Sequence, residues 1–324
     1  MNSFGSKFRV SIFGESHGDV MGITMDNVPA GISINTNDFT YDIARRKPGK
    51  KGTTARVEAD KPILASGIFN GKTTGAPLTI LIENNNTRSK DYNKTKDFNR
   101  PGHADFVASQ KFNGFEDFRG GGHFSGRLTI LIVCAGVVAK KILPELEINA
   151  KLIEIAGEEN LEKGLQKGID NQDSVGGIVE CRVQNIPVGW GEPFFDSAEA
   201  IISHAVFSIP SVRGIEFGTG FKAASMFGSE HNDAYLDDNG KTKTNHCGGI
   251  IGGITNGNEI VFKIAIKPTS SVGKVQTSWN KKEKEIQDFS IIGRHDLCIA
   301  LRVPVVLESI TAIALLDLKM LSKR

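Results

Sequence analysis

Cysteine is sparse in this chain of 324 residues, and its placement excludes two common uses. Cys134, Cys181, Cys247 and Cys298 lie far apart with no CxxC spacing, which argues against a zinc site and a disulfide framework and fits a reducing compartment. Charge of one sign is also missing: a formal net charge of +2 gives no bulk electrostatic case for nucleic acid. Long apolar runs are absent as well. The most apolar stretch, Leu128 to Ala139, falls short of the ~20 residues a bilayer span needs. The C-terminal one is broken by Arg302, Pro304, Glu308 and Asp317. The start, Met1 to Gly5, shows no apolar signal region. Together these absences predict a cytoplasmic protein with neither a membrane nor a nucleic-acid partner.

What is present is enough apolar material for a large core. With 39% apolar and 23% charged residues the chain is globular, and its length suits two halves or one large domain. Hydrophobic periodicity predicts strands at 8–13, 21–28 and 78–82, a helix over 38–46 stopped before Pro48, and a helix over 104–112. A longer helix over 125–143 is apolar nearly all round, so it must be covered on several sides. The second half repeats this order. A strand at 177–186 ends in Pro187-Val188-Gly189, much as the strand at 21–28 ends in Pro29-Ala30-Gly31. A helix over 197–208, a strand at 260–266 and a second apolar helix over 303–321 follow, with Pro304 in the first turn of the last. The expected fold is α+β: one domain, 1–324, made of pseudo-repeats over about 1–145 and 175–324, a β-α-β sandwich with a helical layer buried between sheets. Order, not identity, supports the duplication. The segment 153–174 reads as a polar connector with one short helix, and 228–248 as a long surface loop turning at Asp237-Asp238-Asn239-Gly240.

Three histidine clusters carry the chemistry: Phe13-Gly14-Glu15-Ser16-His17-Gly18, Arg100-Pro101-Gly102-His103-Ala104-Asp105, and Gly293-Arg294-His295-Asp296. Imidazole titrates near neutrality, and each cluster holds an arginine, a carboxylate or both, which points to proton chemistry on an anionic substrate. The basic cluster Arg45, Arg46, Lys47, Lys50, Lys51 and Arg56 reads equally as a solvated face or as a loop that folds over an anion. Gly14-Glu15-Ser16-His17-Gly18 also satisfies G-x-S-x-G, which makes a serine hydrolase using Ser16 a rival. Its context is wrong, because 19–28 alternates like a strand where an elbow needs a helix.

Arg119-Gly120-Gly121-Gly122-His123-Phe124-Ser125-Gly126-Arg127 opens the first long helix. Three glycines permit close backbone approach, Ser125 can cap, and the helix start favours an anion, although a tight bend explains the glycines equally well. Lys267-Pro268-Thr269-Ser270-Ser271, after a strand, offers one cation and three hydroxyls to a phosphate. His204 reads as packing on a helix and His231 as solvated. No histidine pair has the spacing of a helical metal site, so no metal is expected.

In their joint order, these stretches closely resemble the chorismate synthase family. The resemblance also takes in Arg45-Arg46-Lys47-Pro48-Gly49, Ile82-Glu83-Asn84, Asp91-Tyr92 and Asn245-His246-Cys247-Gly248-Gly249-Ile250. It implies 1,4-anti elimination of phosphate from 5-enolpyruvylshikimate 3-phosphate to give chorismate, a requirement for reduced FMN without net redox change, and a homotetramer. By the same resemblance His17 protonates the departing phosphate, His103 protonates reduced flavin near N1, and Asp296 works with flavin N5 in removing the C6 proton. Arg46, Arg100, Arg127 and Arg294 surround substrate and flavin. Ser125, Gly252, Lys267, Pro268, Thr269, Ser270, Ser271 and Arg294 fall at flavin-contacting positions. The chain departs from the pattern at His123-Phe124, Gly126, Leu128 and Leu297, which implies a rather weak flavin site, the alternative being that His123 partly substitutes for the missing arginine. A degenerate homologue that binds flavin or an anion without catalysis stays open beside the enzyme. No nicotinamide fingerprint is present, so an external flavin reductase is the expected partner.

Overall fold

The computed structural model describes residues 2–49, 51–54, 59–84, 98–291 and 295–322. Arg294, Asp91, Tyr92, Lys50 and Arg56 lie outside them. The chain combines helices with two large antiparallel sheets. The first sheet runs in the order Ser3–Phe4, Arg9–Gly14, Val20–Asp26, Leu78–Glu83, Pro62–Ser66. The second runs Val212–Phe217, Ile260–Ile266, Gly177–Gln184, Glu147–Ile155. Alternation sets which face is covered. Leu78, Ile80 and Ile82 are buried in the first sheet, as are Ile260, Phe262, Ile264 and Ile266 in the second.

The helix Thr129–Ile142 packs on Val20–Asp26 and Leu78–Glu83, and the C-terminal helix Val303–Ser322 packs on Glu147–Ile155 and Gly177–Gln184. The two helices also pack along each other. Their approach is close: a Cβ on Gly136 would lie 2.3 Å from Ser309 Cβ, so only glycine fits there. The stretch Ile299–Ser322 is long and apolar enough to cross a membrane, but Val305 to Leu318 is buried within the molecule, as befits a core helix. The charges that interrupt it are buried with partners. Glu308 accepts from Arg45 Nη1 and Nη2 at 2.6 Å and from the Ala150 backbone at 3.0 Å. Asp317 accepts from the backbone of Ser6, Lys7 and Phe8 and ties the N-terminal segment to the helix.

One expectation needs correction. Residues 153–174 do not form a connector from their start, because 153–155 belong to the nine-residue strand Glu147–Ile155. Exposed Glu147, Asn149 and Lys151 alternate with Ile148, Ala150 and Leu152, but a bulge between Leu152 and Glu154 breaks the period and hid the strand's last residues. The short helix expected there is Leu161–Asp170. The helix expected over 125–143 begins as a 3-10 turn, Gly126–Leu128, and becomes α-helical at Thr129.

Candidate active site

Strands Arg9–Gly14 and Val20–Asp26 are joined by the turn that carries Ser16 and His17, both buried. Asn84 braces this turn, its Nδ2 donating to Glu15 O at 3.1 Å and to Gly18 O at 2.8 Å. The Ser16 N–H donates to Gly122 O at 3.1 Å. A strand follows the serine, so the turn is a hairpin and not a nucleophile elbow, which removes the hydrolase reading.

The glycine loop lies against this turn. Gly120, Gly121 and Gly122 have φ of 60°, 84° and 52°, a left-handed run that side chains resist. Space forbids side chains too. A Cβ on Gly120 would lie 2.3 Å from His17 Cε1, and one on Gly122 would lie 2.0 Å from Asp117 O. A Cβ on Gly121 would press His103 Cε1 and Nε2 at 3.4 Å. Two histidines 86 positions apart in sequence thus sit against consecutive glycines of one strip. Ser125 ends the strip as an N-cap, accepting from Arg127 N.

Gly120 lines a cavity of about 210 Å³ that also exposes Ser16, Ser125, Arg127, Asp296 and Arg302. Its cations are held from behind. Arg127 Nη1 donates to the buried Asp60. Arg46, 1% exposed, donates to Thr129 Oγ1 at 3.0 Å, to Gly126 O at 3.1 Å and to Arg127 O at 3.0 Å, with Asp60 Oδ2 3.9 Å from its Nη1. Both oxygens of Asp296 are engaged: Thr54 N–H donates to Oδ1 at 2.8 Å and Arg302 Nη1 to Oδ2 at 3.0 Å. Arg302 Nε also donates to Arg46 O at 2.9 Å, which couples the two halves of the cavity wall.

Gly121 lines a second cavity of about 500 Å³, walled by Phe98, Phe115, Phe118 and Phe124 and carrying Arg100 and His103. Arg100 makes a forked contact with Asp105, 2.7 Å from Nε and 2.7 Å from Nη2. His103 Nδ1 sits between a donor and an acceptor, 3.1 Å from Arg100 Nη2 and 2.6 Å from Asp105 Oδ1; the shorter contact makes Nδ1 the donor to Asp105 and leaves Nε2 toward Gly121. Burial opposes charge on Asp105, but hydrogen bonds from Arg100 and His103 together outweigh it and hold the carboxyl well below the usual carboxylate range. The Lys267–Ser271 loop clamps the same turn: Lys267 Nζ donates to Gly102 O at 2.9 Å and Arg100 Nη1 to Ser271 Oγ at 3.2 Å. Burial, with Arg213 nearby, pushes the Lys267 ammonium below its ordinary pKa. Thr269 Oγ1 is buried with no hydrogen-bond partner among the described residues.

His17, His103 and Asp296 therefore do not share one cavity wall. Asp296 lines the smaller cavity and His103 the larger, and the Gly120–Gly121 strip stands between. Pro268 belongs to the Lys267–Ser271 loop. Gly252 is not brought in: it caps the exposed turn between Ile250–Ile251 and Ile254–Thr255 and lines neither cavity. Arg294 lies outside the described residues. His204 packs edge-on to Phe4, as expected, whereas His231 ends a short helix and faces the His246 ring at 5.7 Å rather than solvent alone. Among the described residues no cluster of His, Cys, Asp or Glu could hold a metal. Asp60, Thr54, Asn84 and Arg302 were not singled out as site residues from the sequence. Only Asn84, inside a family-like stretch, carried any signal.

The family profile for chorismate synthase matches residues 8–320. A chorismate synthase from Chitinophaga pinensis is 62% identical, with 100% of this chain and 98% of that protein aligned. One from Methanocaldococcus jannaschii is 43% identical over 98% of this chain and 96% of its own length. A crystal structure of chorismate synthase superposes with a TM-score of 0.72 at 26% identity, covering 97% of this chain and 92% of that one. With the profile reaching almost from end to end and relatives aligned over their full length, the chain belongs to the chorismate synthase family.

Proposed function

We propose that the two cavities are halves of one site, in which this phosphate-eliminating lyase takes 5-enolpyruvylshikimate 3-phosphate to chorismate and phosphate by 1,4-anti elimination, with reduced FMN as cofactor. The observation that carries this reading is the glycine strip, which sets His17 beside the arginine-lined cavity and His103 beside the aromatic one. The aromatic cavity suits a flavin: its walls are phenylalanines, and Gly121 leaves room where a side chain would fill it. Arg100, His103 and the Lys267–Ser271 loop would hold it. When bound, reduced flavin supplies electron density transiently to the allylic system and leaves no net redox change.

This chain's residues do the rest. Arg127 and Arg46 supply positive potential to the phosphate and carboxylates of the substrate, fixed in place by Asp60. His17 delivers a proton to the departing phosphate oxygen. Asp296, oriented by Thr54 and Arg302, would assist a bound flavin in removing the C6 proton. His103, held by Asp105, would help hold the flavin and could exchange a proton with it through Nε2. The helix and sheet contacts support a β-α-β sandwich with two pseudo-repeats. Large aromatic side chains left on the surface, Phe194 and Phe195 among them, support assembly into a homotetramer. The four unpaired thiols support a cytoplasmic setting, and the lack of a nicotinamide fingerprint supports an external flavin reductase. Anaerobic mixing of protein, dithionite-reduced FMN and the substrate tests the reading. Phosphate release that depends on reduced flavin is expected, and no release at all would leave a binding protein without catalysis.

A further inference from the structure

We infer that His123 is a positioning residue for His17, acting through the backbone of the turn and not through the flavin. The inference rests on the reading of His17 as the proton donor to phosphate. His123 Nδ1 lies 2.8 Å from Gly14 O, and a carbonyl only accepts, so Nδ1 carries a proton and donates. Its Nε2 lies 3.2 Å from Asn2 Oδ1, and Asn2 in turn accepts from the Ile12 backbone at 2.9 Å. Both ring nitrogens thus face the Arg9–Gly14 strand and its neighbouring segment, and His123 lines neither cavity. On this inference His123 serves the turn and does not stand in for a flavin-side arginine.

Gly14 is where the backbone leaves the sheet to build the histidine turn, and it does so with φ of 96°. The other braces hold the turn further along, at Glu15 and Gly18 from Asn84 and at Ser16 from Gly122. His123 alone among these braces fixes the exit point. It also follows Gly122 directly, so its bond and that of Ser16 N–H to Gly122 O peg the glycine loop to the turn at adjacent residues. The His17 ring packs so close to Gly120 that even a Cβ there would overlap it. A slide of loop against turn would disturb that packing, and the His123 bond opposes the slide.

The test compares H123L and H123S, which remove the donor, with H123N, whose amide can still donate. In ligand-free protein, the titration of the His17 ring followed by NMR should shift in H123L and H123S and return toward wild type in H123N. In the flavin-dependent phosphate assay, the two donor-less variants should lose about tenfold to a hundredfold in kcat, the scale of a misplaced reacting group. KM and the FMN dissociation constant should stay within about threefold, and H123N should recover most of kcat. A loss confined to FMN affinity would overturn the inference, as would an unchanged His17 titration in both donor-less variants. H123S covers the case in which H123L fails to fold. If wild-type protein releases no phosphate, the lyase reading falls, while the His17 titration still decides whether His123 positions it.

Discussion

The two cavities hold their arginines by opposite means. In the smaller one, Arg46 and Arg127 are buried, locked onto Asp60 and onto backbone carbonyls across the start of a core helix. In the larger one, Arg100 belongs to a turn and pairs with Asp105, five residues on, which His103 also contacts. The first is part of the hydrophobic core and is fixed by folding. The second is local and clamped by one loop, Lys267–Ser271, so it can adjust to what binds. A fixed half suits a small, densely charged ester, and an adjustable half suits a cofactor that must come and go.

Four measurements would sharpen or break this contrast. Asp60→Ala leaves two buried guanidinium groups without their carboxylate and should destabilise the protein by about 3–5 kcal/mol in denaturant unfolding. Asp105→Asn should cost much less stability; equal losses would mean that the two halves are not different in kind. The catalytic effects come next. His17→Ala should lower kcat by about a hundredfold to ten-thousandfold in anaerobic phosphate release. Asp296→Asn should slow turnover more than it weakens substrate binding, and a large rise in substrate dissociation constant at unchanged turnover would contradict the role proposed for it.

Acid should then separate the halves more gently. Asp105 has a lowered carboxyl pKa in the fold, so its contribution is present above the ordinary value of 3.8 and is lost as pH falls below it. His295 is lowered by burial first and by Arg100 next, with Asp296 partly opposing. The unfolded chain therefore binds its proton more readily, and stability falls as pH drops below 6.5. Unfolding free energy measured against pH should show both declines, and the lower one should disappear in Asp105→Asn. The smallest effect concerns the thiols. Burial pushes Cys134 up to about 12 and raises Cys181 and Cys298 as well. None of these three should react with a thiol reagent at pH 8 in the folded protein; rapid modification would show that the core opens.

Much of this was legible in the sequence. The strand Ile260–Ile266 could be read from its short, β-branched apolar run, and the histidine turns announced themselves by glycine and proline. The missing parts share one physical cause, which is that long-range partners leave no local pattern. Asp60 sits 67 positions from Arg127, and nothing around it marks a carboxylate destined for the interior. Arg302 looked like an interruption of an apolar run, yet it orients Asp296 and bonds Arg46 O. A bulge between Leu152 and Glu154 broke the alternation and hid the end of the strand Glu147–Ile155.

The most direct measurement is a crystal structure of the protein with FMN and the substrate bound together. The account predicts the flavin ring beside His103 in the phenylalanine-walled cavity and the substrate phosphate within hydrogen-bonding reach of His17 on the Arg127 side of the glycine strip. Ligands bound away from that strip, or both crowded into one cavity with the other empty, would contradict it.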